Sequence, residues 1–392
     1  MSVGKKEKIN VLSLFDGMSC GQIALNKVGI KYENYFASEI DEYGIKVTKH
    51  NYPNTKHLGN VKEIDYSKLP KIDLLIGGSP CQSFSFAGKQ KGMTTKDNVE
   101  ILTLEHYLEL KNNGFEFQGQ SYLFWEYMNA LITLKPKYFL LENVKMSDKW
   151  KRVLSNAIGC EPILICSGNI SAQNRPRYYW TNIPNVVEPS KKDIKLKDIL
   201  QTEVSERYNI KNERVDTLMK FLNKNYKPIG KVPTITTELA HSTGKNFYPK
   251  TLVEIFDVLG YYRRLTPIEV ERLQTVPDDY TSVVPDTERY RMLGNGWTVD
   301  VIAHIFSFLK GGEIFNQMEN VKGLFTGETD KNGIKIYYEK SKLKFPDGSF
   351  GKLMFDYGQL SAYYARENNS CIVDFDGVNN ANSIYLRDCE VI

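Results

Sequence analysis

The sequence predicts an α/β fold whose core is a doubly wound, largely parallel sheet. Three observations support this fold class. Short apolar runs rich in strand-forming residues recur at 8–15, 71–78 and 137–144. Segments whose apolar residues return with helical spacing lie between these runs, for example at 121–134. The first run is followed at once by a glycine-containing turn and a helix, and strands that alternate with helices are typical of a parallel sheet.

The composition narrows the possible classes of protein. A chain of 392 residues can bury a sizeable core. No apolar run approaches the roughly 20 residues that span a bilayer. The six cysteines form no CxxC pair, and the five histidines are not closely spaced. We therefore expect a cytoplasmic protein with reduced thiols, no membrane association and no metal site.

The net charge is unevenly distributed. The whole chain has a formal charge of +4, but residues 311–392 hold 9 Lys and Arg against 12 Asp and Glu, which leaves 42 against 35 for residues 1–310. The basic first part favours a partner that carries phosphate groups, although an excess of this size is more often a solubility feature.

The turn after the first predicted strand, FDGMSCG, contains Asp16 and Gly17. Ligands of doubly wound sheets bind beyond the carboxyl ends of the strands. Glu39 follows a second apolar segment roughly 20 residues further on, where an acid can accept both hydroxyls of a ribose. Asp16 would repel a pyrophosphate and attract a cation. The sulfonium, ammonium and ribose of S-adenosylmethionine (SAM) therefore fit this turn better than NAD does.

Cys81 lies in GGSPCQSFS, directly after the run at 71–78. A free cysteine is most often a small buried apolar side chain, but the flanking glycines, proline and polar residues indicate an exposed loop. A thiolate at this strand end is a candidate nucleophile. Beside a methyl donor it suits methylation of cytosine at C5, because addition of the thiolate at C6 makes C5 nucleophilic. Glu142, in the run at 137–144, is placed to supply a proton at N3.

These residues belong to a series of segments that resembles the C5-cytosine DNA methyltransferases. The segments follow the order of that family over residues 9–310 and read FDGMSCG, ASEID, GGSPCQSFS, LLENV, QNRPRYYW, RRLTPIEVERLQTVPDDYT and MLGNGWTVDVI. The resemblance implies a Rossmann-like, SAM-dependent methyltransferase sheet that methylates a cytosine flipped out of double-stranded DNA. The segment NISAQNRPRYYWTNIP is most similar to the animal de novo DNA methyltransferases and their phage or bacterial relatives. We therefore expect a bacterial or phage protein that serves restriction-modification or DNA protection.

The resemblance assigns catalytic roles to individual residues. Cys81 matches the nucleophile, and Glu142 matches the acid that holds N3 and the exocyclic amine of cytosine. Arg175 and Arg177 match the catalytic pair that supports the catalytic loop and binds the cytosine O2. The residues beside the nucleophile that the resemblance assigns to substrate binding are Pro80, Gln82 and Ser83.

The resemblance also implies a cofactor site. Phe15 would face the adenine, Glu39 would bind the ribose, and Ile40 would form a wall for the adenine. The helix that carries Asn295 would return beside the first strand to complete the methionine pocket. The full set of residues assigned to SAM is Phe15, Asp16, Gly17, Glu39, Ile40, Asn60, Asn295 and Trp297.

Three features depart from the pattern of the family. Asn60 replaces an aspartate that accepts from the adenine amine, and we expect binding to survive, weakened by about 1 kcal/mol. The segment 99–120 is an insertion that we place in or beside the mobile catalytic loop. Gln120 and Ser121 stand where relatives carry Arg-Gly.

The predicted domain organisation has four parts. They are a catalytic SAM-binding domain at 1–185, a target-recognition region at 186–260, a return segment at 261–312 and a small β-rich appendage at 313–392. The target-recognition region is basic, with 13 Lys and Arg against 8 Asp and Glu in residues 186–250, so its lysines are candidates for phosphate contacts. The acidity of the appendage favours packing on the core or pairing with another chain.

Two alternative functions stay open at this point. One is a tRNA cytosine-5 methyltransferase, since a branch of the family acts on tRNA; that branch usually has a doubled proline near the nucleophile, which GGSPCQ lacks. The other is a catalytically silent DNA-binding regulator, which the presence of all four matched catalytic residues disfavours.

Overall fold

The structure is a computed structural model that describes the chain in several stretches. These are residues 8–80, 93–209, 231–237, 253–254 and 262–309, and the backbone of strands between residues 325 and 391. The chain divides into two compact units, Met1–Phe306 and Ser307–Ile392.

The first unit is organised around a central sheet. Its described strands are β1 (Ile9–Leu14), β2 (Tyr32–Ser38), β3 (Lys56–His57), β4 (Leu74–Gly78), β5 (Thr94–Thr95), β6 (Phe117–Gln118), β7 (Tyr138–Val144), β8 (Ile163–Cys166), β9 (Gln173–Asn174), β10 (Pro176–Thr181), β11 (Val232–Pro233), β12 (Val253–Glu254) and β13 (Tyr262–Arg263). Seven of them form one sheet in the order β3-β2-β1-β4-β7-β10-β8. The first five run parallel, and β10 is antiparallel to both of its neighbours. The predicted doubly wound α/β fold is confirmed.

Helices connect these strands. The α-helices in the described part of the first unit are α1 (Cys20–Lys27), α2 (Glu42–Asn51), α3 (Leu104–Asn112), α4 (Phe124–Leu134), α5 (Asp148–Ile158), α6 (Pro267–Leu273) and α7 (Asp286–Asn295). Residues 299–306 are also helical. Short 3-10 turns cover Val61–Glu63, Tyr66–Lys68, Ser121–Leu123, Ser167–Asn169, Leu196–Ile199 and Glu206–Tyr208. The predicted helix at 121–134 therefore begins as a 3-10 turn and continues as α4.

Strand β1 lies at the middle of the sheet. Val11, Leu12 and Leu14 are fully buried, as expected for a parallel strand that is covered on both faces. β1 pairs with β2 on one side and with β4 on the other. Because the chain winds outward in opposite directions from β1 and β4, a crevice is expected at their carboxyl ends.

The segment 93–120 is a folded element. β5 pairs antiparallel with β6, and α3 lies between them in the chain. Ile101 and Tyr107 are fully buried in the main hydrophobic core. The carboxylate of Glu126 in α4 accepts hydrogen bonds from the Tyr107 hydroxyl at 2.5 Å and from the Lys111 ammonium at 2.6 Å. The insertion is therefore packed against α4 through a buried charge.

The chain after β13 returns to the turn that follows β1. Thr266 and Glu269 form a capping box at the start of α6, and Arg263 donates to both carboxylate oxygens of Glu269 at 2.7 and 2.6 Å. Further along, the Tyr280 hydroxyl donates to the Met18 carbonyl at 2.7 Å. This return places α7 beside the carboxyl end of β1.

The predicted target-recognition region is described only in part. Within 186–260, the structure describes residues 186–209, 231–237 and 253–254. β11 pairs in parallel with β9, and β12 pairs antiparallel with β13. The boundaries given to this region stay predictions.

The second unit is rich in strands. They are β14 (Phe325–Thr329), β15 (Lys335–Tyr337), β16 (Lys342–Lys344), β17 (Phe350–Asp356), β18 (Gln359–Arg366), β19 (Asn369–Asp374) and β20 (Glu390–Val391). β14 pairs with β15, and the other five form an antiparallel sheet in the order β19-β18-β17-β16-β20. The β-rich character predicted for this part is confirmed, whereas its predicted start at residue 313 stays a prediction.

The described residues contain neither a cluster of metal ligands nor a membrane-spanning helix. No group of three or more His, Cys, Asp or Glu side chains gathers there as metal ligands. Each helix in that part of the chain is too short or too polar to cross a bilayer. The thiols of Cys20, Cys160 and Cys166 are free.

Tyr107→Phe tests the buried contact between the insertion and α4. The variant removes a hydroxyl that donates to the buried Glu126 carboxylate, so we expect the free energy of unfolding to fall by about 1.5 to 3 kcal/mol. Urea unfolding monitored by circular dichroism measures the change. Tyr43→Phe, at a ring that is 40% exposed, is the control. Equal stability of the two variants would contradict the assignment.

Candidate functional site

Three strand ends with polar residues meet at one edge of the sheet. β1, β4 and β7 are neighbours and run parallel. β1 is followed by the turn at 15–19 and β4 by Ser79 and Pro80, whereas Glu142 lies near the end of β7, two residues before its last residue. The described ones among the predicted site residues therefore lie at the edge where doubly wound sheets bind ligands.

The turn after β1 has a strained backbone. Phe15, Gly17 and Ser19 have φ values of 59°, 57° and 62°. Positive φ is uncommon for a residue with a side chain, and it persists where the surrounding structure fixes it. A Cβ built on Gly17 would have no protein atom within 4 Å. The turn is thus held in shape and open on the side of Gly17.

Glu39 organises the end of β2. One carboxylate oxygen accepts from the Gly17 N–H at 2.7 Å, and the other accepts from the N–H groups of Ile40 at 2.7 Å and Asp41 at 2.8 Å. The side chain of Ile40 is 67% exposed next to this carboxylate. The structure therefore brings Gly17, Glu39 and Ile40 together, and their binding of a cofactor stays a prediction.

Asp16 lies partly buried beneath the same turn. Its carboxylate accepts from the Tyr35 hydroxyl at 2.8 Å and from the Ser19 hydroxyl. Burial raises the pKa of Asp16 to about 6, and the negative charge of Glu39 adds to the rise, although the hydroxyl donors oppose it. Two carboxylates at one turn favour a ligand that carries positive charge.

The side chain of Asn60 forms hydrogen bonds with the residues that directly follow it. Its side-chain oxygen accepts from the Lys62 N–H at 3.1 Å, and its amide donates to Glu63 at 3.1 Å. The residue is thus the N-cap of a 3-10 turn. An amide oxygen has two lone pairs, so the predicted acceptor for an adenine amine retains one.

Glu142 is buried at the end of β7, with 9% of its surface exposed. The Arg177 Nε lies 3.1 Å from one carboxylate oxygen, and the Trp297 indole N–H donates to the other at 3.1 Å. Arg177 reaches it from β10, where Tyr179 pairs directly across from Glu142. The antiparallel course of β10 therefore delivers the arginine to the acid.

Cys81, Gln82 and Ser83 lie outside the described residues, which end at Pro80 before resuming at residue 93. The backbone leading to them is described: the Asn143 side chain donates to the carbonyl of Ser79 at 3.2 Å and to its hydroxyl at 3.0 Å. This contact ties the start of the predicted nucleophile loop to the residue that follows Glu142.

Arg175 differs from Arg177 in its surroundings. It is buried, with 4% exposed. Its guanidinium donates to the carbonyls of Ile235 at 2.8 Å, Gly294 at 3.0 Å and Gly296 at 3.0 Å. Of the predicted pair, Arg177 therefore contacts Glu142, whereas Arg175 links the backbone of residue 235 to that of residues 294 and 296 through hydrogen bonds.

Asn295 and Trp297 flank the end of α7. Asn295 is exposed at the last helical residue. The backbone carbonyl of Trp297 lies 3.9 Å from the thiol of Cys20, at the start of α1. Trp297 therefore contacts the start of α1, next to the turn after β1, and its role in completing a methionine pocket stays a prediction.

Sequence reasoning did not single out Tyr35, Asn143 or the contact of Trp297 with Glu142. Asn143 could have been found from its position beside Glu142 in LLENV. The Tyr35 hydroxyl and the Trp297 indole reach the site through the fold, and no sequence spacing indicates either contact.

Comparisons with known proteins agree on one family. The family model for C-5 cytosine-specific DNA methylase matches residues 9–157 and 167–311. The orphan methyltransferase M.SPRI of Bacillus phage SPR is 26% identical over 77% of this chain and 97% of that protein. The type II methyltransferase M1.ScrFI of Lactococcus lactis subsp. cremoris is 26% identical over 76% of this chain and 77% of that protein. The orphan methyltransferase M.Rho11sI of Bacillus phage rho11s is 40% identical over 140 residues, which are 35% of this chain and 23% of that protein.

Solved structures show the same fold. The Entamoeba histolytica methyltransferase EhMeth superposes with a TM-score of 0.57 at 16% identity and covers 78% of this chain and 99% of its own. A mutant of Spodoptera frugiperda DNMT2 gives a TM-score of 0.54 at 20% identity, and the match covers 77% of this chain and 100% of that protein.

Asp16→Asn tests the environment of the buried carboxyl. The pKa of Asp16 in the folded protein, about 6, lies above the ordinary value of 3.8, so ionisation is harder in the folded than in the unfolded chain. The stability of the wild type relative to the variant should therefore fall as the pH rises from about 4 to about 6.5, by up to about 3 kcal/mol.

Denaturant unfolding of both proteins across this pH range measures the difference. Asp65→Asn is a control of opposite sign, because hydrogen bonds from Ser67 and Lys68 lower the pKa of Asp65. The free energy of unfolding of the wild type should therefore increase relative to that of Asp65→Asn as the pH rises. A pH-independent difference for Asp16→Asn would contradict the burial.

Proposed function

The chain belongs to the C-5 cytosine-specific DNA methylase family, and from this premise we propose that it transfers a methyl group from SAM to C5 of a cytosine in double-stranded DNA. The observation that carries the proposal is the placement of Glu142: a buried carboxylate, held by Arg177 and Trp297, beside a turn that favours a cationic ligand. The phage and bacterial relatives are orphan and type II methyltransferases, so restriction-modification or DNA protection is the proposed context.

The residues around the β1 turn fit SAM, which when bound would supply an electrophilic methyl group. Glu39 already binds three backbone N–H groups, so its carboxylate is fixed for the ribose hydroxyls. Ile40 offers an exposed apolar surface to the adenine. Asp16 is suited to the positive charge, and the open side of Gly17 leaves room for the ligand.

Cys81 is the proposed nucleophile. Its thiolate forms a bond with C6 of cytosine while N3 takes a proton from Glu142, which makes C5 electron-rich. Once C5 has received the methyl group, which would leave S-adenosylhomocysteine behind, a base takes the proton from C5 and the bond between sulfur and C6 breaks to restore the thiolate. The proton on N3 then returns to the Glu142 carboxylate, which restores the acid. The Asn143 contact with Ser79 would fix the backbone from which this loop begins.

The two arginines have separate proposed roles. The Nε of Arg177 forms an ion pair with Glu142, and one terminal nitrogen donates to the Pro176 carbonyl at 2.8 Å. The other terminal nitrogen is proposed to bind the cytosine O2. Arg175 directs both terminal nitrogens to backbone carbonyls. Its proposed role is to support the surrounding loops.

Double-stranded DNA is the proposed substrate, and flipping of the base brings cytosine to Glu142 at an unstacking cost of a few kcal/mol. The basic residues of the target-recognition region are proposed to contact phosphates, which sets affinity, while polar side chains there read the sequence. The salt dependence of binding should reflect these contacts.

Cys81→Ala tests the nucleophile. We expect complete loss of methylation in a bacterial host that lacks cytosine methylation, while the purified variant still binds DNA. Bisulfite sequencing of host DNA reads the outcome. Cys160→Ala, at a free thiol of the described chain, is the matched control and should protect the same cytosines as the wild type.

Protected cytosines in one sequence context, present with the wild type and absent with Cys81→Ala, support the mechanism and identify the target. Turnover by the alanine variant would contradict the assigned nucleophile. Unprotected host DNA despite folded wild-type protein would contradict the DNA reaction, and bisulfite sequencing of host tRNA would then test the RNA alternative.

Glu142→Gln tests the acid. Glutamine keeps the size of the side chain and its contact with the indole, but it cannot deliver a proton to N3. The rate of methyl transfer should fall by about 10²-fold or more, measured with tritiated SAM and host DNA. A rate within a factor of about three of the wild type would contradict this role.

A further inference from the structure

Trp297 contacts the reactive acid as well as the cofactor turn. The resemblance to the family assigns this residue to SAM, yet its indole N–H donates to Oε2 of Glu142 at 3.1 Å. Arg177 occupies the other oxygen at 3.1 Å. We propose that Trp297 is a positioning residue that fixes the orientation of Glu142 for the cytosine ring, an inference that rests on the proposed function.

The backbone of Trp297 is anchored on both sides. The preceding residue, Gly296, offers its carbonyl to the guanidinium of Arg175 at 3.0 Å. The following residue, Thr298, donates its hydroxyl to the side-chain oxygen of Gln274 at 2.8 Å, and both side chains are buried. An indole on a backbone fixed in this way keeps one direction, which is what a positioning contact requires.

Gly78 provides the space for the contact. A Cβ built on Gly78 would lie 2.8 Å from Nε1 of Trp297 and 3.2 Å from Oε2 of Glu142. Any side chain at this last residue of β4 would therefore press on the two atoms that form the hydrogen bond. A glycine here, three residues before Cys81, allows the indole to reach the acid across the end of β4.

The contact has a chemical consequence. One oxygen of Glu142 accepts a hydrogen bond from the indole N–H, and the other forms an ion pair with Nε of Arg177. The two contacts hold the carboxyl group from two sides. Trp297 therefore sets the direction in which the acid faces the cytosine ring.

Trp297→Phe tests the proposal, because it keeps an aromatic ring and removes the N–H. We expect kcat to fall about 10- to 100-fold, with a smaller change in the Kd for SAM. Trp180→Phe is the matched control: its indole N–H donates to the Ser155 hydroxyl at 3.0 Å in the core, and its removal should leave kcat within a factor of about three of the wild type.

Two further variants separate positioning from a general loss of structure. Gly78→Ala should push the indole from the carboxylate and lower kcat in the same way. Adding Trp297→Phe to Glu142→Gln should lower kcat little further, because the indole acts through the acid. An equal loss of kcat in both backgrounds would overturn the proposal.

A spectroscopic readout keeps this inference distinct from the proposed function. In protein labelled with ¹⁵N-tryptophan, the indole N–H resonance that disappears in Trp297→Phe should shift in Glu142→Gln, while that of Trp180 should not. A wild type that leaves DNA unmethylated overturns the proposed reaction even if the resonance shifts. If the wild type is active but the Trp297 resonance has the same chemical shift in Glu142→Gln, the positioning role alone is overturned.

Discussion

A buried cation surrounded by backbone carbonyls is the interaction on which the arrangement of this site depends. Arg175 donates to Ile235, Gly294 and Gly296, which belong to segments far apart in the chain. A buried guanidinium is stable only while its hydrogen-bond acceptors stay in place. Because the three carbonyls must converge on one side chain, the end of α7 and the segment that begins with β11 are both fixed to the residue between β9 and β10.

The turn after β1 and the side chain of Glu142 share one structural support. Gly296 accepts from Arg175, and a Cβ built on Gly296 would lie 2.9 Å from Met18 in the turn after β1. The next residue, Trp297, contacts Cys20 through its carbonyl and Glu142 through its indole. A shift of this backbone would therefore move both the turn after β1 and the carboxylate of Glu142.

The sequence was sufficient to predict the sheet and the strand ends that carry polar residues. The runs that became β1, β4 and β7 are apolar at successive positions, and this local pattern requires no knowledge of distant contacts. The contact of Trp297 with Glu142 could not be predicted, because it depends on the direction of one indole across the sheet. The capping role of Asn60 was not predicted either, because the resemblance assigns this side chain to a ligand contact. Its hydrogen bonds with Lys62 and Glu63 are local ones that the side chain of an asparagine can form in any such turn. The role of Cys81 stays a prediction, since it lies outside the described residues.

Completion of the sheet edge by residues near the end of the first unit has a consequence during protein synthesis. Met18 and Cys20 emerge early, but their partners Tyr280 and Trp297 are translated more than 260 residues later. At roughly 5 to 20 residues per second, the residues that cover the turn after β1 are added about 13 to 55 seconds after the turn itself. The nascent chain therefore leaves this edge of the sheet incomplete for most of its synthesis, and the turn can form all its contacts only after translation has passed α7.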